Sequence, residues 1–562
     1  MSPNRGPIAA AIVVFALLVA VAPRSAAAAG EFDGDLPAGG GIALVVWTGG
    51  NTNEIVAAAS AEGCVLDSVW SFVNGFPVGF IVGAPDFVNA PYFAIHDGNT
   101  VGAGPMLVVC QRSLVFQPGQ DIAAIVAGQP AGTTFRFAPG VYRRVQITPK
   151  SGQTFIGEPG AILSGARVLE GFQADGSHWS IGGQTSQLFG GGPCDSFEGR
   201  SYNGCQHPEQ LFLDGDILWQ VERRDQLQSG RWYFDYGADR IYIAENPQGR
   251  GVELSVTENA FRGNAGDVTI RGLVVEKYAN RAQTGAISAD DTSNWLIEDV
   301  ELRYNHGTGI RVGDGSVLRN SFVHHNGQLG VAGGGDGILV EGTEIANNNI
   351  AGFNSGWEGG GTKFFHTRDL VLRNNYVHHN DGRGLWTDIN NIDSLIESNL
   401  VEHNSEPGIA HEISYAAVIR NNTVRHNGLG FDIWVWGAQI LVQNSPDVVV
   451  TGNTVVVPAT GGDGIAVVNQ QRGSGNFGPW VARRVVVTGN DITYLGTEGW
   501  SGVADDTGGA PSCNASAENR FEGNTYRVGP GDNARHWYWC AELGWNGFNG
   551  AGADIDGTLI DG

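Results

Sequence analysis

Between residues 305 and 427 the chain repeats one sentence. VLRNSFVHHNGQLG (317–330), VLRNNYVHHNDGRG (371–384), LIESNLVEHNSEPG (395–408) and VIRNNTVRHNGLG (418–430) are copies, with a weaker one, LVEGTEIANNN, at 339–349. Asn326, Asn348, Asn380, Asn404 and Asn427 follow at steps of 22, 32, 24 and 23 residues, the long step marking an insertion. A period in the twenties, filled by strand-like rather than helical units, specifies a solenoid in which each unit buries its apolar edge on the next.

Composition agrees. Glycine is 85 of 562 residues and charged residues only 16%, which suits tight turns and flat strands. The net charge of −25 excludes nucleic acid and anionic membranes as natural partners and disfavours a strongly acidic polymer. Only three lysines occur: Lys150, Lys277 and Lys363.

Residues 1–29 read as a secretory signal peptide, with Arg5, an apolar run at 8–21 and small residues at 25–29. After leader cleavage no membrane span is expected, and the mature protein is expected to be secreted or held at the cell surface. Six cysteines suit export. The simplest of the 15 possible connectivities is Cys64–Cys110, Cys194–Cys205 and Cys513–Cys540. No zinc-ligand spacing occurs, so no cofactor is expected, a calcium ion being the one exception entertained.

Residues 30–112 form short apolar runs broken by Gly and Pro and are predicted to be a small disulfide-closed β module. The sequence DIAAIVAGQPAGTTFRFAPGVYRRVQITPKSGQTFIGEPGAILSG (121–165) holds a short amphipathic helix, then Pro139-Gly140-x-Tyr142, then a strand pair. It resembles the opening coils of pectate-lyase-like right-handed parallel β-helix proteins. The resemblance implies an all-β fold over 113–562: a right-handed parallel β-helix with an N-terminal helical cap, interrupted by an insertion at 171–255 and closed by a cap at about 513–562. It also implies a carbohydrate-active protein whose partner is a polysaccharide or glycan.

Strand alternation then orients the side chains. In GLWTDIN (384–390) Leu385 and Thr387 point in, and Trp386 and Asp388 point out. In GIAHEIS (408–414) Ile409 and His411 point in and Glu412 out; GFDIWVW (430–436) is assigned as the next strand, with Asp432 and Trp434 out. One coil earlier GTKFF (361–365) turns Lys363 out, after an inserted loop carrying Trp357 and Glu358. Asp388 and Glu412 share one offset in successive coils, so they are expected side by side on an open outer face. Two carboxylates that close cannot both ionise freely, which makes them an acid/base or acid/nucleophile pair. Lys363 completes the catalytic set, and Trp357, Glu358, Arg383, Trp386, Asp432 and Trp434 are the candidate substrate-binding residues, indoles serving as platforms for sugar rings. The bland alternative, solvated charges on a solenoid, is outweighed by the concentration of Trp, acid and a rare lysine in one place.

His325, His379, His403 and His426, each before a repeated Asn, are read as a turn ladder rather than a metal column. Asp290-Asp291 resembles the paired aspartates of β-helix polygalacturonases but lies four coils away. The leading functional expectation is a glycoside hydrolase or transglycosidase. The alternatives are a polysaccharide lyase or uronate epimerase, with Lys363 or Arg383 as base, and a non-catalytic glycan-binding surface protein.

Overall fold

The computed structural model describes residues 113–562 except 196–203 and 430–433. Before residue 113 it describes the strand residues 32–33, 41–47, 50–51, 66–73, 76–81, 100–101 and 104–110, with Ile55, Ala58 and Ala59. The leader, Cys64 and Asp432 therefore lie outside the described residues. So does the Cys64–Cys110 pairing.

The chain divides into two compact units, one of residues 1–115 with 133–135, the other of 116–132 with 136–562. In the first unit, five strands form an antiparallel sheet in which Gly41–Trp47 pairs with Gly104–Cys110, and that strand with Leu66–Val73. Its core holds Val45, Trp47, Val69, Met106 and Val108.

The second unit is a right-handed parallel β-helix with three long parallel sheets. Sheet one has twelve strands, from Phe261–Arg262 to Glu542–Leu543, all parallel except the last pair. Sheet two includes the strands from Thr154–Gly157 to Arg520–Glu522 and, beyond the first of these, Thr134–Phe137 and Ser113–Phe116; sheet three runs between Gly140–Arg143 and Thr558–Asp561. The chain visits sheets one, two and three in turn, then steps up one coil. The expected helix is Ile122–Gly128, started by the Asp121 carboxylate accepting from the Ala124 N–H, with Ile122 and Val126 buried.

Asparagines hold the corner between sheets three and one. Each side-chain amide donates to the carbonyl oxygen of the next: Asn305 to Asn326 (3.0 Å), then Asn348 (3.0 Å), Asn380 (2.9 Å), Asn404 (2.9 Å) and Asn427 (2.8 Å). A second ladder, Asn375–Asn399–Asn422–Asn453–Asn490–Asn524, holds the corner between sheets two and three. The histidines before the first ladder adopt left-handed φ near +52 to +56°, and His379, His403 and His426 stack at 5.1 and 5.2 Å.

Three boundaries differ from the sequence reading. The insertion begins earlier, because an eight-stranded sheet takes in Ala166–Val168 and ends at Val252–Ser255. The segment 513–562 is itself coil: Arg520–Glu522, Thr525–Val528, Trp537–Trp539 and Thr558–Asp561 extend the three sheets, with a short helix at Trp545–Gly550. Finally, of the strand expected at 430–436, residues 434–436 form a turn and 430–433 lie outside the described residues. The strand after Ile409–Glu412 is Ala438–Gln443, with Ile409 opposite Ile440 and Glu412 opposite Gln443. Gly428 packs on Gly437, and the Gln439 amide takes the place of a ladder asparagine by accepting from Asn427. Among the described residues no helix is long and apolar enough to cross a membrane.

Candidate functional site

Sheet one places the key residues in register. Leu385–Asp388 pairs with Ile409–Glu412, so that Trp386 lies opposite Ala410, Thr387 opposite His411 and Asp388 opposite Glu412. Phe364 lies opposite Thr387, which aligns Lys363 with Trp386 one coil below. Thr387 and His411 are interior: His411 Nδ1 meets the Thr387 hydroxyl at 2.7 Å, Nε2 meets the Tyr415 carbonyl at 2.6 Å, and burial pushes the imidazole down to about 4. It is a neutral core residue. Asp388 and Glu412 alternate with these and face away from the interior, on strands ~4.8 Å apart.

The face is covered, contrary to the open groove expected from sequence. Asp388 is 6% exposed, Glu412 7%, Lys363 6%, Glu358 7% and Trp386 1%. Alternation distinguishes the two faces of a strand, but it carries no information about loops that later fold over the outer one. Two loops do so here. One holds the short helix Ser355–Glu358; the other, around 470–480, sends Arg472 to Glu412 (2.8 Å) and ties Gly478 to the Tyr415 hydroxyl (2.8 Å).

Under this cover the charges interlock. Lys363 Nζ contacts Asp388 Oδ2 at 3.0 Å and Glu358 Oε1 at 3.6 Å, and donates to the Trp357 carbonyl at 2.9 Å. It also lies 4.0 Å from the Trp386 ring centroid, and the Arg383 guanidinium lies 4.1 Å from the same ring. Arg383 pairs with Glu406 at 3.3 Å and donates to the Ser355 carbonyl at 3.1 Å. Three cations, Lys363, Arg383 and Arg472, thus meet four carboxylates, Glu358, Asp388, Glu406 and Glu412. Burial first, then the neighbouring Glu412 charge, push the Asp388 carboxyl above the usual range, against the pull of Lys363.

Three buried polar atoms in this cluster have no hydrogen-bond partner: Asp388 Oδ1, Trp386 Nε1 and Arg383 Nε. Buried polar atoms are nearly always paired, so three orphans together mark a place built for something other than stability. The backbone is strained there too. Ile389 and Ile413, immediately after the two acids, hold φ of +64° and +36°, conformations that β-branched side chains avoid.

Sequence reasoning brought together Lys363, Asp388, Glu412, Glu358, Trp386 and Arg383, and placed Trp357 on the covering loop. Trp434 does not flank Glu412. It lies in the turn before Ala438, packs on Trp436 at 5.4 Å and joins an outer apolar cluster with Trp386 and Leu441; Gln443 takes its expected place. The structure adds Arg472, Glu406 and Gln283, whose amide donates to Glu358 at 2.8 Å. It also adds the insert as a brace. Asn354 receives the Cys194–Cys205 loop through its N–H to the Pro193 carbonyl (3.0 Å) and its amide to Asp195 (2.5 Å). The two sulfurs are bonded, with Cα atoms 5.8 Å apart, as are those of Cys513 and Cys540 at 6.1 Å. Gly192 lies so close to the Trp357 ring that a Cβ there would stand 2.5 Å from it. Among the described residues no group of three or more His, Cys, Asp or Glu side chains is arranged to hold a metal ion.

No curated protein matches the sequence. Among solved structures, the complex of XylC with xylose is 15% identical, covers 78% of this chain and 82% of its own, and superposes with a TM-score of 0.56. A glycoside hydrolase (12% identity, 70% and 89% coverage, TM-score 0.38) and the A-module of the Azotobacter vinelandii mannuronan C-5 epimerase AlgE4 (11%, 78% and 91%, TM-score 0.39) are more distant. Residues 285–455 match the family model described as the right handed beta helix region, and this, with the three stacked sheets, identifies the fold as a right-handed parallel β-helix.

Proposed function

We propose that the protein is a secreted carbohydrate-active enzyme, a glycoside hydrolase or transglycosidase acting on a polysaccharide. The observation that carries this reading is the in-register pair Asp388 and Glu412, the first with its carboxyl pushed above the usual range by burial and the second paired with Arg472, beside three unpartnered polar atoms. One fold relative, with a TM-score of 0.56, is a complex with xylose, which supports a sugar as the ligand class.

In this reading Asp388 donates its proton to the glycosidic oxygen as that bond breaks, and Glu412 either attacks the anomeric carbon or takes the proton of an attacking water. Lys363 and Glu358 orient the sugar, and Lys363 steadies Asp388 as it loses its proton. Arg472, a third exposed along its side chain, is the movable cover through which substrate reaches Glu412.

The lyase or epimerase alternative requires a free base. Lys363 is a poor one, because its ammonium already addresses Asp388, Glu358 and the Trp357 carbonyl. The deciding experiment is a turnover screen on neutral and uronic-acid glycans. A hydrolase releases reducing ends without ultraviolet absorbance, whereas an unsaturated uronate product overturns the proposal in favour of the lyase. Glycan binding that persists with no turnover on any substrate favours the non-catalytic reading.

A further inference from the structure

A second concavity lies on the same solenoid, at the other end of the sheet-one strands. Asp463 opens the strand Asp463–Asn469 and pairs with Ala438. Extending the strand registry downward through Ile409 and Leu385 places Asp463 in the column of Arg383, three coils on and ~14 Å away at the sheet spacing. Beside it is a cavity of about 400 Å³, walled by Trp434, Trp500, Asp463, Glu498, His536 and Glu542. That volume lies within the usual range for small-molecule sites.

Its polar groups are underused. Asp463 is 3% exposed, and its Oδ1 accepts from the Trp500 N–H at 2.8 Å. Burial pushes its carboxyl up to about 7, so near neutrality it offers a donor as well as acceptors. His536 is fully buried against Tyr494, its Nδ1 committed to the Gly499 carbonyl at 2.8 Å and its Nε2 without a partner. Burial lowers its pKa and keeps it neutral. The two indoles are half-buried, each part of the apolar cluster that also holds Leu441 and Ala504. An aromatic wall, a buried carboxyl and an unpartnered imidazole nitrogen form an amphipathic surface: rings with an apolar face and a hydroxylated edge fit it.

We propose that this cavity is a second carbohydrate site, which holds one neutral sugar ring on the Trp434 and Trp500 indoles with its hydroxyls on Asp463 and His536. Its acidic rim, Glu498 and Glu542, turns away uronic acids, the neighbouring Arg535 being paired with Asp532. The site stands whether or not the Asp388–Glu412 pair turns over a glycan.

Titration of the full chain with methyl xyloside, glucoside, galactoside and mannoside, followed by tryptophan fluorescence, tests it, with glucuronate as the charged control. At least one neutral glycoside should bind saturably and glucuronate should not. Trp500→Ala and Trp434→Ala should each weaken that binding at least about tenfold, while Glu412→Gln leaves it unchanged. Asp463→Asn, which keeps a donor and an acceptor, should retain binding within about threefold, whereas Asp463→Leu should abolish it. Circular dichroism confirms the fold of each variant. Saturation by none of the four glycosides, or binding equal to wild type in both folded tryptophan variants, or binding lost in Glu412→Gln, overturns the proposal.

Discussion

Asp388 keeps one carboxylate oxygen unpaired beneath a covering loop, and this places the first prediction. Asp388→Asn and Glu412→Gln should each lower turnover by about 10²- to 10⁴-fold with the circular dichroism spectrum unchanged, the range expected when a proton-transfer group is lost. Activity that needs Asp388 protonated falls as pH rises through its raised pKa, and Lys363→Met, by removing the cation that draws that pKa down, should shift this fall to higher pH. Asp463 gives a stability prediction with a defined sign. Its folded pKa of about 7 lies above its unfolded value near 3.8, so the stability it contributes is complete below about pH 4 and lost as pH rises through 7. The titratable and charged groups around it are Tyr494, Glu498, Arg535, His536 and Glu542. Asp463→Asn should therefore stabilise the fold more at pH 8 than at pH 5, by an amount on the order of 3 kcal/mol, read from the rise in thermal midpoint over wild type at each pH. At this scale the sequence was legible where strand alternation governs, as in the Asp388–Glu412 register. It was silent on Arg472 and Glu406, which arrive from loops 60 residues beyond Glu412 and on the corner before it.

The elements show the same division. Asparagine spacing announced the ladder, because a side chain that must meet its copy one coil away has to recur at the coil length. Asn404→Ala should cost about 3 kcal/mol or more, read as a lower urea midpoint, because it strips both the Asn380 amide and the Asn380 backbone N–H of their Asn404 acceptor and takes one donor each from the Val377 and Asn427 oxygens. The strand Ala438–Gln443 escaped detection for a physical reason. Residues 430–436 alternate polar and apolar in sequence as a strand does, and they follow Asn427 at the spacing that leads to a strand in the other coils. The brace on the Ser355–Glu358 helix was also invisible, since the insert meets it over a separation of 159 residues. Replacing Cys194 and Cys205 together by serine should loosen that helix, with faster amide exchange at 355–360 and lower turnover, while the sheets stay protected.

Across the whole molecule, a net charge of −25 sets the choice of polymer. Binding of polyuronates should be weak and improve as added salt screens the repulsion, whereas binding of neutral glycans should be indifferent to salt; a pull-down at about 20 and 300 mM NaCl separates the two. The fold class was the most legible property of all, since one apolar edge per period has few places to go. The coil is also a chain of nearest-neighbour handshakes, each amide reaching only the turns directly above and below. A protease that cuts between Gly428 and Gly437 would sever a peptide bond without breaking a single rung, and the two fragments would be expected to travel together until a denaturant pulls them apart.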